Sequence, residues 1–183
     1  LPTYDVFDES RYFTPASEWR VFEFQNRRIF LTVCEDIWDG YGFNPHDRVE
    51  NFDLVINISA SPFETGKMEK RLALMKDLCL EKKVWGVYVN TVGANDELIF
   101  DGRSFALTPD GKGAVFCKAF QEDFQILDTE KVSDNPFFTG ENAPEAIYEA
   151  LILGIKDYFA KTGFKKAVLG LSGGVDSALV AAL

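Results

Sequence analysis

Histidine is almost missing from this sequence. His46 is the one imidazole among 183 residues, so papain-like chemistry, which needs an imidazole base beside its thiol, has a single candidate. That candidate sits in the turn-forming run Asn44-Pro45-His46-Asp47, where an ordinary exposed histidine is the simpler reading. Cysteine is nearly as scarce. Cys34, Cys79 and Cys117 are odd in number and far apart, which excludes a disulfide framework and a thiolate zinc site. No apolar run approaches the roughly 20 residues that span a bilayer, so no membrane is expected as a partner. No secretory signal is visible, and the reducing cytoplasm is the expected setting. Positive charge is short as well: 19 Lys and Arg face 29 Asp and Glu, for a formal net charge of −10. Basic residues adjoin only as Arg27-Arg28, Lys82-Lys83 and Lys165-Lys166, which make no patch for a phosphate backbone, so nucleic acid is not an expected partner. Internal repeats and low-complexity tracts are absent too. The sequence opens at Leu1 inside a densely patterned stretch rather than at a methionine, which leaves room for a leading segment.

Against these gaps stand 46% hydrophobic and 26% charged residues, the proportions of an ordinary globular protein. A chain of this length buries roughly 70% of its unfolded surface, enough for one core and a fragment of a second. Residues 21–25 and 28–33 alternate as strands around a turn-like Asn26-Arg27, a hairpin. Residues 53–58 read as a buried strand. A loop with Ser59, Ser61 and Pro62 follows, then a charged helix from Lys67 to Lys82 with Met68, Leu72, Met75 and Cys79 on one face. Residues 84–90 are strand-like again, which makes a parallel β-α-β unit. Ligands collect beyond the carboxyl ends of such strands, where Cys34, Ser61 and Asn90 fall.

Further along, residues 93–97 read as a loop, and residues 104–107, 114–117 and 124–127 as three short strands, with Pro109-Asp110-Gly111 turning between the first two. Asp134-Asn135-Pro136 breaks the pattern. Asn142, with Glu145 three residues on, opens a helix that runs to about Lys161 and ends at Gly163. Its expected buried face is Tyr148, Ile152, Ile155 and Phe159. Residues 167–171 read as a last strand. The organisation expected is one unit over 1–130, a linker over 131–142, and the opening of a second unit over 143–183.

Two segments carry chemistry. Val33-Cys34-Glu35-Asp36-Ile37-Trp38 has the form of a strand delivering a cysteine into a polar turn. A thiol placed there is a nucleophile if its thiolate is favoured and backbone N–H groups stabilise an oxyanion. A small buried hydrophobe is the other reading, one that Cys79 and Cys117 fit better. With the imidazole discounted, the composition permits a carboxylate base assisted by a lysine. Ser172-Gly173-Gly174-Val175-Asp176-Ser177 follows an apolar strand candidate and precedes a helix. Two glycines let the backbone approach phosphate oxygens, the hydroxyls add donors, and the helix N-terminus is partly positive. It lacks the lysine of a Walker A loop and the spacing of a dinucleotide fingerprint, and a plain tight connection remains the alternative.

The runs Leu1-Pro2-Thr3-Tyr4-Asp5-Val6-Phe7-Asp8-Glu9-Ser10-Arg11-Tyr12-Phe13, Cys34-Glu35-Asp36-Ile37-Trp38 and Ser59-Ala60-Ser61-Pro62-Phe63-Glu64-Thr65-Gly66-Lys67 resemble the nitrilase-type amidase domain. In particular they resemble the form fused to glutamine-dependent NAD synthetase. The glycine loop resembles the pyrophosphate loop shared by NAD, GMP and asparagine synthetases. The resemblance implies an α/β chain: a partial nitrilase-type α-β-β-α sandwich, then the first helix-strand-loop-helix of a pyrophosphate-loop domain of the adenine nucleotide alpha-hydrolase kind.

In that family a Glu-Lys-Cys triad hydrolyses the glutamine side-chain amide through a cysteine thioester. The resemblance implies Cys34 as nucleophile and Glu9 as a supporting glutamate that orients the lysine, with Tyr4, Glu35, Trp38, Ser61 and Lys67 lining the glutamine pocket. It implies Ser172, Gly173, Gly174 and Ser177 as ATP phosphate contacts and Asp176 as a Mg2+ ligand. Core aromatics at Tyr4 and Trp38, a surface cation at Lys67 and a turn hydroxyl at Ser61 are the plainer alternatives. The family's lysine falls just before Leu1 and its first glutamate further upstream, and most of the synthetase domain lies past Leu183. The chain is therefore expected to be inactive alone. Its parent would use glutamine, ATP and deamido-NAD, in a homo-oligomer. A stand-alone amidase, or a non-catalytic piece of the same ancestry, is the competing expectation.

Overall fold

A computed structural model describes residues 1, 3, 8–38, 48–131, 138 and 140–183. Tyr4 and His46 lie outside the described residues. Eight strands and three helices are found among them: β1 (Val21–Phe24), β2 (Arg27–Val33), β3 (Leu54–Ser59), α1 (Lys67–Lys82), β4 (Trp85–Asn90), β5 (Val92–Asn95), β6 (Leu98–Asp101), β7 (Phe105–Leu107), β8 (Gly113–Phe116), α2 (Ala143–Thr162) and α3 (Val175–Ala182). Six strands form one sheet in the order β1-β2-β3-β4-β7-β8, and β5 pairs with β6 as a separate hairpin.

The expected hairpin and β-α-β unit are both present. β1 and β2 are antiparallel around Gln25-Asn26, one residue earlier than the sequence suggests, and both turn residues have positive φ, 46° and 62°. That backbone matches the right-handed twist of the strands it joins. β2, β3 and β4 run parallel, with Thr32, Asn57 and Tyr88 in one row of the register and Val33, Ile58 and Val89 in the next. The strand period then separates two faces. Phe30, Thr32, Val55, Asn57, Ser59, Tyr88 and Asn90 are buried on one of them, apolar at the amino ends and polar at the carboxyl ends. Leu31, Val33, Ile58 and Val89 are exposed on the other.

α1 lies against the buried face. Met68, Met75 and Cys79 are buried as the spacing predicts, Leu72 packs at the edge of the core, and Leu78 and Arg71 join the buried set. A side chain at Gly86 would place its Cβ 2.5 Å from Cys79 Sγ and 2.7 Å from Met75 Sδ, so the glycine sets how closely helix and sheet approach. Lys83 closes the helix in the left-handed region, its N–H donating to the Cys79 carbonyl.

Four expectations are corrected. Residues 93–97 supply most of β5 and the turn into β6 rather than a free loop. Residues 124–127 form no strand; Phe124 and Ile126 are exposed, and the meander ends with an isolated bridge between Gly102 and Ala119. Residues 167–171 form no strand either, because no described strand offers them a ladder, and Val168 is fully exposed. α2 has its expected span but is rotated from its expected face. Ala146 and Ala150 are buried against Phe63, Ile99 and Phe120, and Gly154 leaves room for Ile99, while Tyr148 and Ile155 are exposed. Close approach to the hairpin selects small residues. The helix is fixed there by Asp157, which accepts the Ala94 N–H at 2.7 Å, and by Lys161, which donates to the Ala94 carbonyl.

Candidate active site

Cys34 is the first residue past β2, at φ 48°, a backbone setting that non-glycine residues rarely take. The chain turns there because Asp36 accepts the Val33 N–H at 2.7 Å and Glu35 O accepts the Trp38 N–H at 2.9 Å, closing a single tight turn over Cys34–Ile37. Asn57, in the middle of the neighbouring strand, donates from Nδ2 to Cys34 O at 3.1 Å and to Thr32 Oγ1 at 3.0 Å. Ser59 Oγ donates to Asn57 Oδ1 at 2.5 Å. An apolar strand would leave these groups without partners, so Asn57 and Ser59 at buried positions serve the turn rather than the core.

Two opposed effects act on the sulfur. Burial and the neighbouring Glu35 carboxylate push the Cys34 thiol above its ordinary range; the Ala60 N–H, the Ser59 hydroxyl and the Lys67 ammonium pull it back. Lys67 itself is pushed below the usual lysine range, first by burial and then by Arg71, against the pull of Glu64, Cys34 and Glu35. Its Nζ is 5.9 Å from the centre of the Trp38 ring and 4.0 Å from Glu64 Oε2. Cys34, Glu35, Trp38 and Lys67 therefore surround one place, and sequence spacing alone did not put Lys67 there.

Ser61 is held on every polar atom. Its N–H donates to Asn90 Oδ1 at 2.9 Å, and its carbonyl accepts Asn90 Nδ2 at 3.3 Å and Arg71 Nη2 at 3.0 Å. Its hydroxyl accepts from Arg71 Nη2 at 3.1 Å. A guanidinium only donates, so the Ser61 O–H hydrogen is left to point elsewhere. Arg71, with no exposed surface, pairs through Nη1 with both oxygens of Asp101, at 2.8 and 3.1 Å. Asp101 also accepts from Asn90 at 3.2 Å. Arg103 extends the network, 3.9 Å from Asp101 and 3.4 Å from Glu141, whose carboxylate accepts the Gly66 N–H just before α1. Sequence reasoning missed Arg71, Asp101 and Asn57. An arginine inside the Met68–Met75 stripe and an asparagine inside an apolar strand are the signals that were available.

Glu9 lies in a short turn, Glu9–Arg11, and among the described residues no bond joins it to Cys34 or Lys67. The glycine loop is far simpler. Gly173 is left-handed at φ 86°, Ser172 Oγ is 3.1 Å from Ser177 Oγ, and Ser177 donates to the Gly174 carbonyl at 3.0 Å. Asp176 stands in the first turn of α3. Among the described residues no group of three acidic, histidine or cysteine side chains could hold a metal. An ion at Asp176 would have to take most of its ligands from phosphate and water, which is the habit of magnesium. No helix among the described residues is long and apolar enough to cross a membrane, and all three cysteines are free. A cavity of about 500 Å³ lined by Arg28, Glu50, Asp53 and Lys82 opens at the opposite end of the strands from Cys34.

Comparison with known proteins agrees with both halves. Residues 147–183 match the family model described as NAD synthase. The glutamine-dependent NAD(+) synthetase of Synechocystis is 43% identical over all of this chain and 36% of its own length. The structure of the glutamine-dependent NAD+ synthetase from Acinetobacter baumannii in complex with ADP superposes with a TM-score of 0.89 at 37% identity, covering all of this chain and 35% of that one. An amidase from Nesterenkonia shares the fold of 65% of this chain and 46% of its own, with a TM-score of 0.54 at 18% identity. The chain spans about a third of the length of the curated relatives it matches.

Proposed function

We propose that this chain is the stretch of a glutamine-dependent NAD(+) synthetase in which the glutamine-hydrolysing domain meets the ATP-using domain, with the division at 1–130, 131–142 and 143–183 that its sequence suggests. The observation that carries this reading is the similarity, 33–43% identity to four such synthetases over the whole chain, which takes in the cysteine turn and the glycine loop together.

On this reading the Cys34 thiolate adds to the side-chain carboxamide of glutamine. The C–N bond breaks, ammonia leaves with the proton it has gained, and water then cleaves the thioester to glutamate and free thiol. Glu35, Trp38, Ser61 and Lys67 bind the amino acid, with Tyr4 as a further contact. The Lys67 ammonium and a Ser61 hydroxyl with a hydrogen left to donate suit a carboxylate, and Glu35 suits an ammonium. The base on this reading is a carboxylate assisted by a lysine that Glu9 orients, and neither group is assigned to a residue of this chain.

At the other end, Ser172, Gly173, Gly174 and Ser177 hold ATP phosphates on the α3 N-terminus, with Asp176 toward Mg2+. Bound there, ATP supplies the adenylation that makes deamido-NAD receptive to ammonia. The sum is deamido-NAD, glutamine, ATP and water going to NAD, glutamate, AMP and pyrophosphate. A cytoplasmic enzyme fits the free thiols, and a homo-oligomer is what the resemblance implies.

The test uses the complete reading frame. Glutamine hydrolysis is expected to fall about 10⁴-fold or more in Cys34→Ala, the scale of losing a nucleophile. Ammonia release that persists in that variant overturns the assignment. Formation of AMP from ATP with deamido-NAD separates a synthetase from an amidase that merely carries the loop.

A further inference from the structure

α1 begins without a cap of its own. Gly66, the residue before it, has φ 76° and no side chain with which to hold the first turn. Glu69 stands three residues on, the position from which a glutamate ordinarily reaches back to the N–H of the capping residue. Here that reach is interrupted. Glu141, 75 residues beyond Gly66, is inserted between the two: its Oε2 accepts the Gly66 N–H at 3.3 Å, and its own N–H donates to Glu69 Oε1 at 3.1 Å. The Glu141 side chain is only 4% exposed, and Arg103 Nη1 lies 3.4 Å from the same oxygen as a charge partner without a hydrogen bond. The aligned bonds of Glu141 therefore go to the start of α1. Lys67 is the first residue of that helix, its Nζ set 5.9 Å from the centre of the Trp38 ring. First-turn N–H groups have no partners within a helix, so what caps them also orients the side chains they carry. A carboxylate is the favourable sign of charge at this end.

We propose that Glu141 is a positioning residue for glutamine binding: it caps α1 from outside the helix and so sets Lys67 in the pocket beside the Cys34 turn. The pocket then depends on the stretch that leads into α2, since Glu141 stands two residues before that helix. Glu141 touches no reacting atom and moves no proton. The inference rests on Lys67 binding the glutamine carboxylate, a contact remote from the bond that breaks. Such a contact is worth the same in the ground state and the transition state, so its loss is read in KM rather than kcat. A different role, neutralising Arg103 and nothing more, predicts a change in stability alone.

The experiment uses the complete enzyme, with ammonia release from glutamine followed at steady state and the melting temperature recorded for each variant. Glu141→Met removes acceptor and charge together, and the KM for glutamine is expected to rise about tenfold while kcat stays within about twofold. Glu141→Gln keeps an oxygen for the Gly66 N–H and should recover most of the affinity. Adding Arg103→Met to Glu141→Met separates the cap from the charge. Replacing both partners of a buried ion pair by apolar side chains leaves no guanidinium stranded, so this double variant is expected to melt near the wild type and to keep the raised KM. A double variant whose KM returns to the wild-type value overturns the proposal, because Glu141 would then serve Arg103 alone. So does an unchanged KM in folded Glu141→Met. Lys67→Met tests the reading underneath: an unmoved KM there rejects Lys67 as a pocket residue, whereas a raised KM there beside an unmoved one in Glu141→Met rejects only the cap.

Discussion

The turn at Cys34 and the loop at Ser172 are both tight turns that lead out of extended chain and carry a residue of positive φ, yet they are held in opposite ways. Cys34 is fixed by Asn57 from the next strand and by Asp36 from its own turn. Among the described residues the Ser172 loop is held by contacts among Ser172, Gly174 and Ser177 alone, and nearly every residue from 163 on is exposed. A motif of six residues can set its own backbone. Turning that backbone into a site takes a sheet, and this chain builds the sheet at one end only.

The sharpest way to break the contrast is to remove a charge from beneath the well-built end. Asp101→Asn keeps the shape of the side chain but leaves Arg71 buried without its carboxylate, and is expected to cost about 3–5 kcal/mol of stability, read from the urea midpoint. Because Arg71 also holds Ser61 O and Oγ, loss of glutamine affinity should accompany it in the complete enzyme. Ser177→Ala, at the other end, should move the same midpoint by less than about 0.5 kcal/mol. Equal effects at the two ends would dissolve the distinction.

Next in size is Gly86→Ala. The added methyl meets Met75 and Cys79 within 3 Å, so α1 must lift from the sheet, at about 1–3 kcal/mol for an overpacked core. The lift carries Lys67 away from Trp38 at the first turn of the same helix. A thermal melt should register the loss, and a methyl accommodated at no cost would mean that the helix does not set the pocket.

What was legible in the sequence follows from which forces are local. The periodicity of β1 to β4, the α1 stripe and the three strand ends that bear Cys34, Ser61 and Asn90 are properties of short windows, and they read correctly. The face of α2 did not: of the four residues that a period of 3.6 assigns to the core, Tyr148 and Ile155 are exposed and Ile152 and Phe159 only half-buried, while Ala146 and Ala150 meet a hairpin that sequence spacing read as a loop. Arg71 and Asp101 are thirty residues apart, so the arginine inside the α1 stripe signals a buried charge but not the partner that neutralises it. The strand expected at 167–171 failed for a related reason: β structure is a property of pairs, and a good strand sequence without a partner stays unpaired.

The smallest expected effect is the most direct test of the loosely held end. Gly173 is left-handed with nothing within 4 Å of a Cβ placed on it, and Gly174, in ordinary extended backbone, would set its Cβ 3.6 Å from Ser172 Oγ. Gly173→Ala therefore meets backbone strain of about 1 kcal/mol and no steric clash, and Gly174→Ala meets neither. The strain falls on a segment bound to little else, so local fraying of α3 should absorb it, faster amide exchange over Val175–Ala182 marking the change while the melt of the core stays within about 0.5 kcal/mol. If Gly173→Ala instead lowers the core melt as far as Gly86→Ala does, the loop is coupled to the sheet, and the two ends of the chain are one cooperative unit after all.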